Sequence, residues 1–274
     1  MTADVEITKE RFSIPAAKHH LSAEFIRPHA HTYNRPVLVF LHEGLGSIGQ
    51  WRDFPDKICA RTGCPALVYD RWGYGGSDPL TQHRKPDYLH DEALLSLPEV
   101  LKQCAIDKPI FIGHSDGGSI AIIYAGTYPQ RVTGIITEAA HVFVEDVTVA
   151  GIKRAAEVYE STDLKTRLAK FHGSNTDLMF RGWADIWLSP EFRNWNIEEY
   201  LPHITCPLLG IQGKDDEYGT PAQVEAIVRK VTGPARASMI ENCGHIPHLQ
   251  AREKVFTDMV DFISVMIKDR SKAS

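Results

Sequence analysis

Short apolar runs alternate along the chain with longer amphipathic stretches, and this alternation limits the folds available to it. The runs are rich in Val, Ile and Leu and lie at residues 37–41, 66–69, 110–113, 134–137 and 208–211. Such runs are typical of strands buried on both faces of a parallel sheet. Helical patterns follow at residues 89–104, 117–128, 221–231 and 251–267. The order predicts an α/β fold with a mostly parallel, doubly wound sheet.

One segment of the chain breaks this alternation. Residues 144–203 contain no strand-like run but hold helical patterns at 152–159 and 164–171. Six large aromatic residues follow or end these patterns: Phe171, Phe180, Trp183, Trp187, Phe192 and Trp195. We therefore predict a helical cap, or lid, of residues 144–203, inserted into a core domain of residues 1–143 and 204–274. Its aromatic residues either pack a small core of their own or face a substrate, and Phe143, Trp183 and Trp187 are the candidates for substrate binding.

Composition excludes several classes of protein. The 274 residues include 30 Lys and Arg against 35 Asp and Glu, a net charge of −5, so the basic footprint of a nucleic-acid binder is missing. No apolar stretch is long enough to span a membrane, and the charged start lacks the apolar region of a secretory signal. Five cysteines without a C-x-x-C pair indicate a reducing compartment, and we predict a cytoplasmic protein.

Cofactor-binding patterns are also missing. The histidines near the start, His19, His20, His29 and His31, lack the pattern of carboxylates that a metal site would need. The glycines of residues 44–46 belong to neither a P-loop nor a G-x-G-x-x-G fingerprint. We therefore predict a protein without a metal or an organic cofactor.

The strongest chemical motif is a G-x-S-x-G sequence at residues 113–117. It follows a predicted strand and precedes a predicted helix, which is the context of a nucleophile elbow. In that turn the side chain of Ser115 would stand clear of the backbone as a nucleophile. The other interpretation is that Ser115 only caps the helix.

A serine nucleophile needs a base and an orienting acid, which in this context follow in the order serine, acid, histidine. Asp215 and Asp216 come directly after the run at 208–211, at the strand end where open α/β sheets place their sites. His245 lies between a strand-like stretch and the last helix. The sequence thus supplies all three members in the required order.

With these motifs the chain resembles the α/β-hydrolase-fold enzymes over nearly its whole length. Residues 70–78, DRWGYGGSD, resemble the D-x-x-G-x-G-x-S segment of that superfamily. The resemblance to its G-x-x-D motif implies Asp216 as the triad acid, with Asp215 as the alternative. The resemblance to its G-H-x-P motif implies His245 as the base.

The oxyanion hole of such an enzyme needs two backbone N–H groups. The resemblance implies that one comes from Asp116 and the other from the loop after the first apolar run. Most relatives have H-G-x or H-G-G there, whereas this chain has Glu43 in place of the first glycine. Gly44 is then the expected donor, and Leu45 is the alternative.

Glu43 and Asp116 would place two carboxylates beside a hole that stabilises negative charge. Either both make local hydrogen bonds, or they recognise a donor group on the substrate. Both interpretations stay open, so Glu43 and Leu45 are also candidates for substrate binding.

The resemblance implies a serine hydrolase that acts on a small-molecule substrate. The expected reaction is hydrolysis of an ester or thioester of a small to medium, partly apolar acyl group. The alternative is hydrolysis of a carbon–carbon bond in a ring-fission product, with Arg154, Arg167 and Arg181 as candidates to hold its carboxylate. A non-catalytic binding protein of the same fold is a third hypothesis. An exposed apolar face of the lid would be one route to a homodimer.

Overall fold

Eight strands form one sheet in the computed structural model, which describes residues 6–29 and 35–273, with side chains through residue 268. The strands are β1 (Ile7–Ala16), β2 (His19–Pro28), β3 (Leu38–Leu41), β4 (Ala66–Tyr69), β5 (Ile110–His114), β6 (Gly134–Glu138), β7 (Leu208–Gly213) and β8 (Ala235–Ile240). Their order across the sheet is β1-β2-β4-β3-β5-β6-β7-β8. The strands from β3 to β8 pair in parallel, so the predicted doubly wound sheet is confirmed.

The first two strands were not predicted from the sequence. β1 and β2 form an antiparallel hairpin at one edge, and β2 pairs antiparallel with β4. Several positions of β1 are exposed, and polar and charged residues occupy them. An edge hairpin of this kind lacks the continuous apolar run that marks a strand buried on both faces.

Helices cover both faces of the sheet. The helices are α1 (Phe54–Thr62), α2 (Tyr88–Asp91), α3 (Leu97–Gln103), α4 (Asp116–Thr127), α5 (Asp146–Ser161), α6 (Leu164–His172), α7 (Thr176–Trp187), α8 (Pro221–Lys230), α9 (Pro247–Gln250) and α10 (Arg252–Ala273). A π-helical turn, Glu92–Ser96, joins α2 to α3, and short 3-10 helices lie at Ile48–Trp51, Pro129–Arg131, Gly173–Asn175, Pro190–Phe192 and Glu198–His203. Not one helix in the described part of the chain has the length and apolar character needed to cross a membrane.

Two hydrophobic cores lie on opposite faces of the sheet because successive strand residues point in opposite directions. Val39 and Leu41 of β3 pack in the core that includes residues of α3, α4 and α8. Leu38 and Phe40 pack in the other core, beneath α1 and α10. The central strands are therefore held from both sides, and the loops at their carboxyl ends start from fixed positions.

Helices α5, α6 and α7 all lie between β6 and β7, and they contact the loops after β3 and β4. Nε2 of His172 lies 3.0 Å from the Leu45 carbonyl oxygen, and the backbone N–H of Gly75 donates to Nδ1 of His172 at 3.0 Å. Phe180 stacks on Tyr159 with 3.8 Å between the ring centroids, so part of the aromatic content packs within this segment.

Candidate active site

Ser115 occupies a strained turn between β5 and α4. Its φ of +50° lies in the left-handed region, which residues other than glycine rarely adopt. The turn is tight because a Cβ on Gly113 would lie 2.4 Å from the carbonyl oxygen of Gly117, and one on Gly117 would lie 2.0 Å from that of Leu41. The two glycines of the motif therefore permit the close approach of strand and helix that holds the serine in this conformation.

His245 and Asp216 form a hydrogen-bonded pair beside this turn. Nδ1 of His245 lies 2.9 Å from one carboxylate oxygen of Asp216 and 3.0 Å from the other. Asp216 also accepts the backbone N–H of Tyr218 at 2.8 Å and the side-chain amide of Gln212 at 2.7 Å. Asp215 is exposed to solvent. The structure thus places Asp216, and not its neighbour, against the histidine.

The pairing changes the pKa values of both groups. Burial alone would lower the pKa of His245, but the hydrogen bond and the negative charge of Asp216 outweigh it, and the pKa is raised. Glu43 and Glu217 add to this effect. Burial would raise the pKa of Asp216, yet the contact with His245 lowers it. The ionised carboxylate can therefore orient the Nδ1–H tautomer, which leaves Nε2 as the basic nitrogen.

The loop after β3 brings Glu43, Gly44 and Leu45 to the same place. The Glu43 carboxylate accepts the backbone N–H of Leu45, so that N–H is already engaged. Gly44 lies beneath the indole of Trp183, where a Cβ would be 2.2 Å from its Nε1. Gly44 and Leu45 were the two candidates for the donor from this loop. The bond to Glu43 engages the N–H of Leu45 and not that of Gly44. Burial raises the pKa of the Glu43 carboxyl, although the Leu45 N–H and His245 oppose the rise.

Asp116 directs its side chain away from the nucleophile. Its carboxylate accepts the Tyr88 hydroxyl at 2.8 Å and lies 3.4 Å from Nη2 of Arg71. Its backbone N–H is at the first position of α4, where no partner is available within the helix. That N–H is therefore not used inside the helix, as an oxyanion donor requires, while the carboxylate is held by Tyr88 and Arg71.

Arg71 is a residue of this site that the motifs did not reveal. Its guanidinium is fully buried, and Nη2 donates to the carbonyl oxygens of Glu43 at 2.9 Å and His42 at 3.4 Å. It also faces Asp116. The arginine thereby connects the loop after β3 to the nucleophile turn, and its position inside the D-x-x-G-x-G-x-S segment was the only signal in the sequence.

A cavity of about 140 Å³, here the nucleophile cavity, contains Ser115 and His245 in its wall. Its other wall residues are Glu43, Gly44, Leu45, His114, His141, Thr148, Ile152, Trp183, Trp187, Glu217, Tyr218 and Ile246. Leu45, Trp183 and Trp187 thus lie where the sequence placed them, whereas His141, Glu217 and Tyr218 carried no motif. Phe143 is not in the wall, because its backbone forms a β-bridge with Asn196.

The charged groups of the nucleophile cavity are acidic. Glu43 and Glu217 contribute carboxylates, and among the described residues no Lys or Arg lines the wall. The three candidate arginines of residues 144–203 are also outside it. Arg167 pairs with Asp163 and Arg181 with Glu160 at the protein surface. Among the described wall residues there is therefore no lysine or arginine to pair with a substrate carboxylate.

A further cavity of about 190 Å³, here the second cavity, adjoins the nucleophile cavity. The two share Glu43, His114 and Ile246 as a common wall. Elsewhere the second cavity is lined by the helical turn at Ile48–Trp51 and by residues near α9.

The described residues, 6–29 and 35–273, hold no group of three or more His, Cys, Asp or Glu side chains placed to bind a metal ion. His31, one of the histidines considered in the sequence, lies outside the described residues.

Comparisons with known proteins agree with this fold. A model of the alpha/beta hydrolase family matches residues 38–258. The chain is 27% identical over 266 residues to a proline iminopeptidase of Saccharolobus solfataricus, covering 82% of this chain and 84% of that protein. It is 26% identical to a 2-hydroxy-6-oxononadienedioate/2-hydroxy-6-oxononatrienedioate hydrolase of Dechloromonas aromatica, covering 83% and 86%. The solved enol-lactonase of Burkholderia xenovorans aligns with a TM-score of 0.71 at 18% identity, covering 92% of this chain and 100% of that one.

Proposed function

Since the chain belongs to the alpha/beta hydrolase family, we propose that it is a serine hydrolase that cleaves a carboxylic ester or thioester. The observation that carries the proposal is that His245, which is hydrogen-bonded to Asp216, lines the same cavity as the strained Ser115. A buried, negatively charged acid that orients a histidine toward a serine is the arrangement that activates a hydroxyl nucleophile.

In the proposed reaction Nε2 of His245 removes the proton from the Ser115 hydroxyl as its oxygen attacks the acyl carbon. The backbone N–H groups of Gly44 and Asp116 bind the oxyanion that forms. His245 then gives the proton to the departing alcohol or thiol, and the acyl–oxygen or acyl–sulfur bond breaks. A water molecule, deprotonated by the same nitrogen, attacks the acyl-enzyme and releases the acid and the serine.

We assign residues 144–203 to a lid over this site. Trp183 and Trp187 of α7 form part of the cavity wall, and Trp183 lies directly over Gly44. Trp187 is held in place because its indole N–H donates to the Tyr88 hydroxyl at 2.8 Å. The cavity volume of about 140 Å³ is small beside the 300–1,000 Å³ of ordinary ligand pockets, which favours a short acyl group.

The acidic wall bears on the substrate class. A carboxylate on the acyl group would meet Glu43 and Glu217 with no cation to balance it. This arrangement makes a doubly charged ring-fission product a poorer fit than a neutral ester, so the carbon–carbon hydrolase remains the alternative and not the proposal.

The same wall favours one second candidate function. Two carboxylates beside the indoles of Trp183 and Trp187 suit a cationic ammonium group, through charge and cation–π attraction. An α-aminoacyl ester or amide would supply such a group, and one relative of this chain carries the name proline iminopeptidase.

The proposal is tested by covalent labelling with a fluorophosphonate probe, followed by a substrate panel. We expect the wild-type protein to be labelled on Ser115 and the Ser115→Ala variant to stay unlabelled. The panel compares a short p-nitrophenyl ester, an acyl-CoA thioester, an aminoacyl p-nitroanilide and a ring-fission diacid. Absence of labelling would indicate a non-catalytic binding protein, and turnover of the diacid alone would move the assignment to carbon–carbon hydrolysis.

A further inference from the structure

The second cavity differs in character from the nucleophile cavity. The wall residues that matter here are Gln50, Trp51 and Arg52, with His248 and Leu249 opposite them. His248 is buried, and its Nδ1 and backbone N–H both lie against a Glu138 carboxylate oxygen, at 3.1 and 3.0 Å. One oxygen of that carboxylate is thus engaged by His248, and Glu138 itself does not line the cavity. Apart from Glu43 in the shared wall, the wall includes several side chains that can donate hydrogen bonds.

Trp51 supplies the first donor. The residue is 3% exposed, and its indole Nε1 has no hydrogen-bond partner among the described residues. Its ring is fixed against His248, with 4.7 Å between the centroids. That nitrogen has less than 1 Å² of accessible surface, so it lies behind the cavity wall, and a ligand acceptor would relieve the cost of the unpaired N–H only through a small shift of the ring.

The side chains of Gln50 and Arg52 supply further hydrogen-bond donors of the second cavity. The Ser47 hydroxyl donates to the side-chain oxygen of Gln50 at 3.1 Å, which leaves the NH2 group of Gln50 for another acceptor. Arg52 is exposed at the rim with a φ of +56°, and no carboxylate of the described residues forms an ion pair with it. Cation, amide and indole donors together match a carboxylate, which accepts several hydrogen bonds.

The position of the cavity indicates which part of a substrate it would hold. Ile246, in the shared wall, follows His245 directly, and Nε2 of His114 donates to the His245 carbonyl oxygen at 2.7 Å. His245 is the residue that gives a proton to the leaving group in the proposed mechanism. A leaving group that departs from the acyl carbon and takes its proton from His245 therefore has the second cavity next to it.

We infer that the second cavity is the subsite of the leaving group, and that it takes an alcohol or thiol that carries a carboxylate. The inference rests on the proposed ester or thioester hydrolysis. The carboxylate takes no part in bond making. It stays ionised beside Arg52 while the acyl bond to the leaving oxygen or sulfur breaks and that atom accepts the proton from His245. Glu43 is a wall residue of the nucleophile cavity as well as of the second cavity, and its carboxylate already accepts the Leu45 N–H.

The test uses two esters of one acyl group, 4-carboxyphenyl butyrate and its neutral analogue 4-carbamoylphenyl butyrate. The measured quantity is the ratio of their kcat/KM values. We expect Arg52→Gln to lower the ratio about tenfold, by reducing kcat/KM for the carboxylate ester alone, as the loss of a charge-assisted hydrogen bond would do. Arg61→Gln is the matched control, because Arg61 is exposed in α1 and lines neither cavity.

A second variant probes the indole. Trp51→Phe keeps the aromatic ring and removes the N–H. With unsubstituted phenyl butyrate as the reference, we expect the kcat/KM values of the 4-carboxyphenyl and 4-carbamoylphenyl esters both to fall about threefold. The inference would be overturned if the ratio of kcat/KM for the two esters stayed unchanged in Arg52→Gln, or changed equally in Arg61→Gln. Neither result would count against the proposed hydrolase function. Failure to hydrolyse any of the three esters, together with absence of fluorophosphonate labelling, would refute the proposed function and the inference with it.

Discussion

The two adjoining cavities share the carboxylate of Glu43 but differ in the other charged side chains of their walls. The nucleophile cavity adds a second carboxylate, Glu217, and among its described wall residues has no Lys or Arg. The second cavity adds the guanidinium of Arg52. A substrate that bridges the shared wall would therefore have two carboxylates near one end and a guanidinium near the other.

This difference suggests how a small enzyme can select substrates without a large pocket. A short acyl group gives little apolar area with which to discriminate among esters. Charged or donor groups on either side of the bond to be broken offer more discrimination, because an unmatched buried polar group costs more than a missing methylene. We therefore assign bond breaking to the nucleophile cavity and substrate recognition alone to the second cavity.

The largest expected effect separates these two roles. Ser115→Ala should reduce kcat for every substrate by at least about 10⁴-fold, because the nucleophile is lost. Turnover of a neutral butyrate ester and the Tm report activity and fold. Arg61→Gln, which lies outside both cavities, is the control and should leave neutral-ester turnover within about twofold. Hydrolysis that persists in Ser115→Ala would place the chemistry elsewhere.

A smaller effect tests the oxyanion loop. Gly44→Ala should lower kcat about 10²-fold, because the added methyl group would meet Trp183 at 2.2 Å and displace the donor. Trp183→Ala in the same chain should restore part of the loss by making room. Trp187→Ala is the control, since Trp187 lines the cavity without meeting that methyl group. Equal rescue by both tryptophan substitutions would contradict this account.

The smallest effect is a shift in pH dependence. The negative charge of Glu43 helps to raise the pKa of His245, and only the neutral imidazole acts as a base. Glu43→Gln should lower that pKa, so the acidic limb of the kcat/KM profile moves to lower pH. Glu217→Gln should move it in the same direction but less, because Glu217 contributes less. A limb that stays in place or moves to higher pH would show that Glu43 does not act on the histidine.

The central sheet could be predicted because its strands are local apolar runs. The prediction at 66–69 coincides with β4, and that at 110–113 lies within β5. The edge hairpin of β1 and β2 could not be read in this way, since one-sided burial gives no continuous apolar pattern. Its pairing with β4 depends on contacts between distant parts of the chain.

The residues of the active site divide in the same way, into those that a local motif predicts and those that only the fold brings together. Ser115, Asp216 and His245 each belong to a short motif, so the motifs and their order could name all three, although residue type and order alone left Asp215 as the alternative acid. Glu217 belongs to no motif, and Arg71 occupies an unspecified position of its motif, so the roles of both depend on what the fold places beside them.

The candidates outside the triad met different outcomes for the same reason. Phe143 was a candidate for substrate binding, but it is not among the described wall residues of the nucleophile cavity, and its backbone forms a β-bridge with Asn196. The choice between two roles for Asp116 required knowledge of Tyr88, which lies 28 positions earlier in the chain.

The buried Arg71 has a consequence for how the enzyme acquires activity as it folds. Its guanidinium contacts the Glu43 carbonyl across 28 positions of the chain and the Asp116 carboxylate across 45. Contacts between such distant positions require loop closure, which slows their formation. The end of β4 must therefore be in its final place before the loop after β3 and the nucleophile turn are held together. Recovery of hydrolysis during refolding would accordingly report completion of the sheet and not the formation of any single helix.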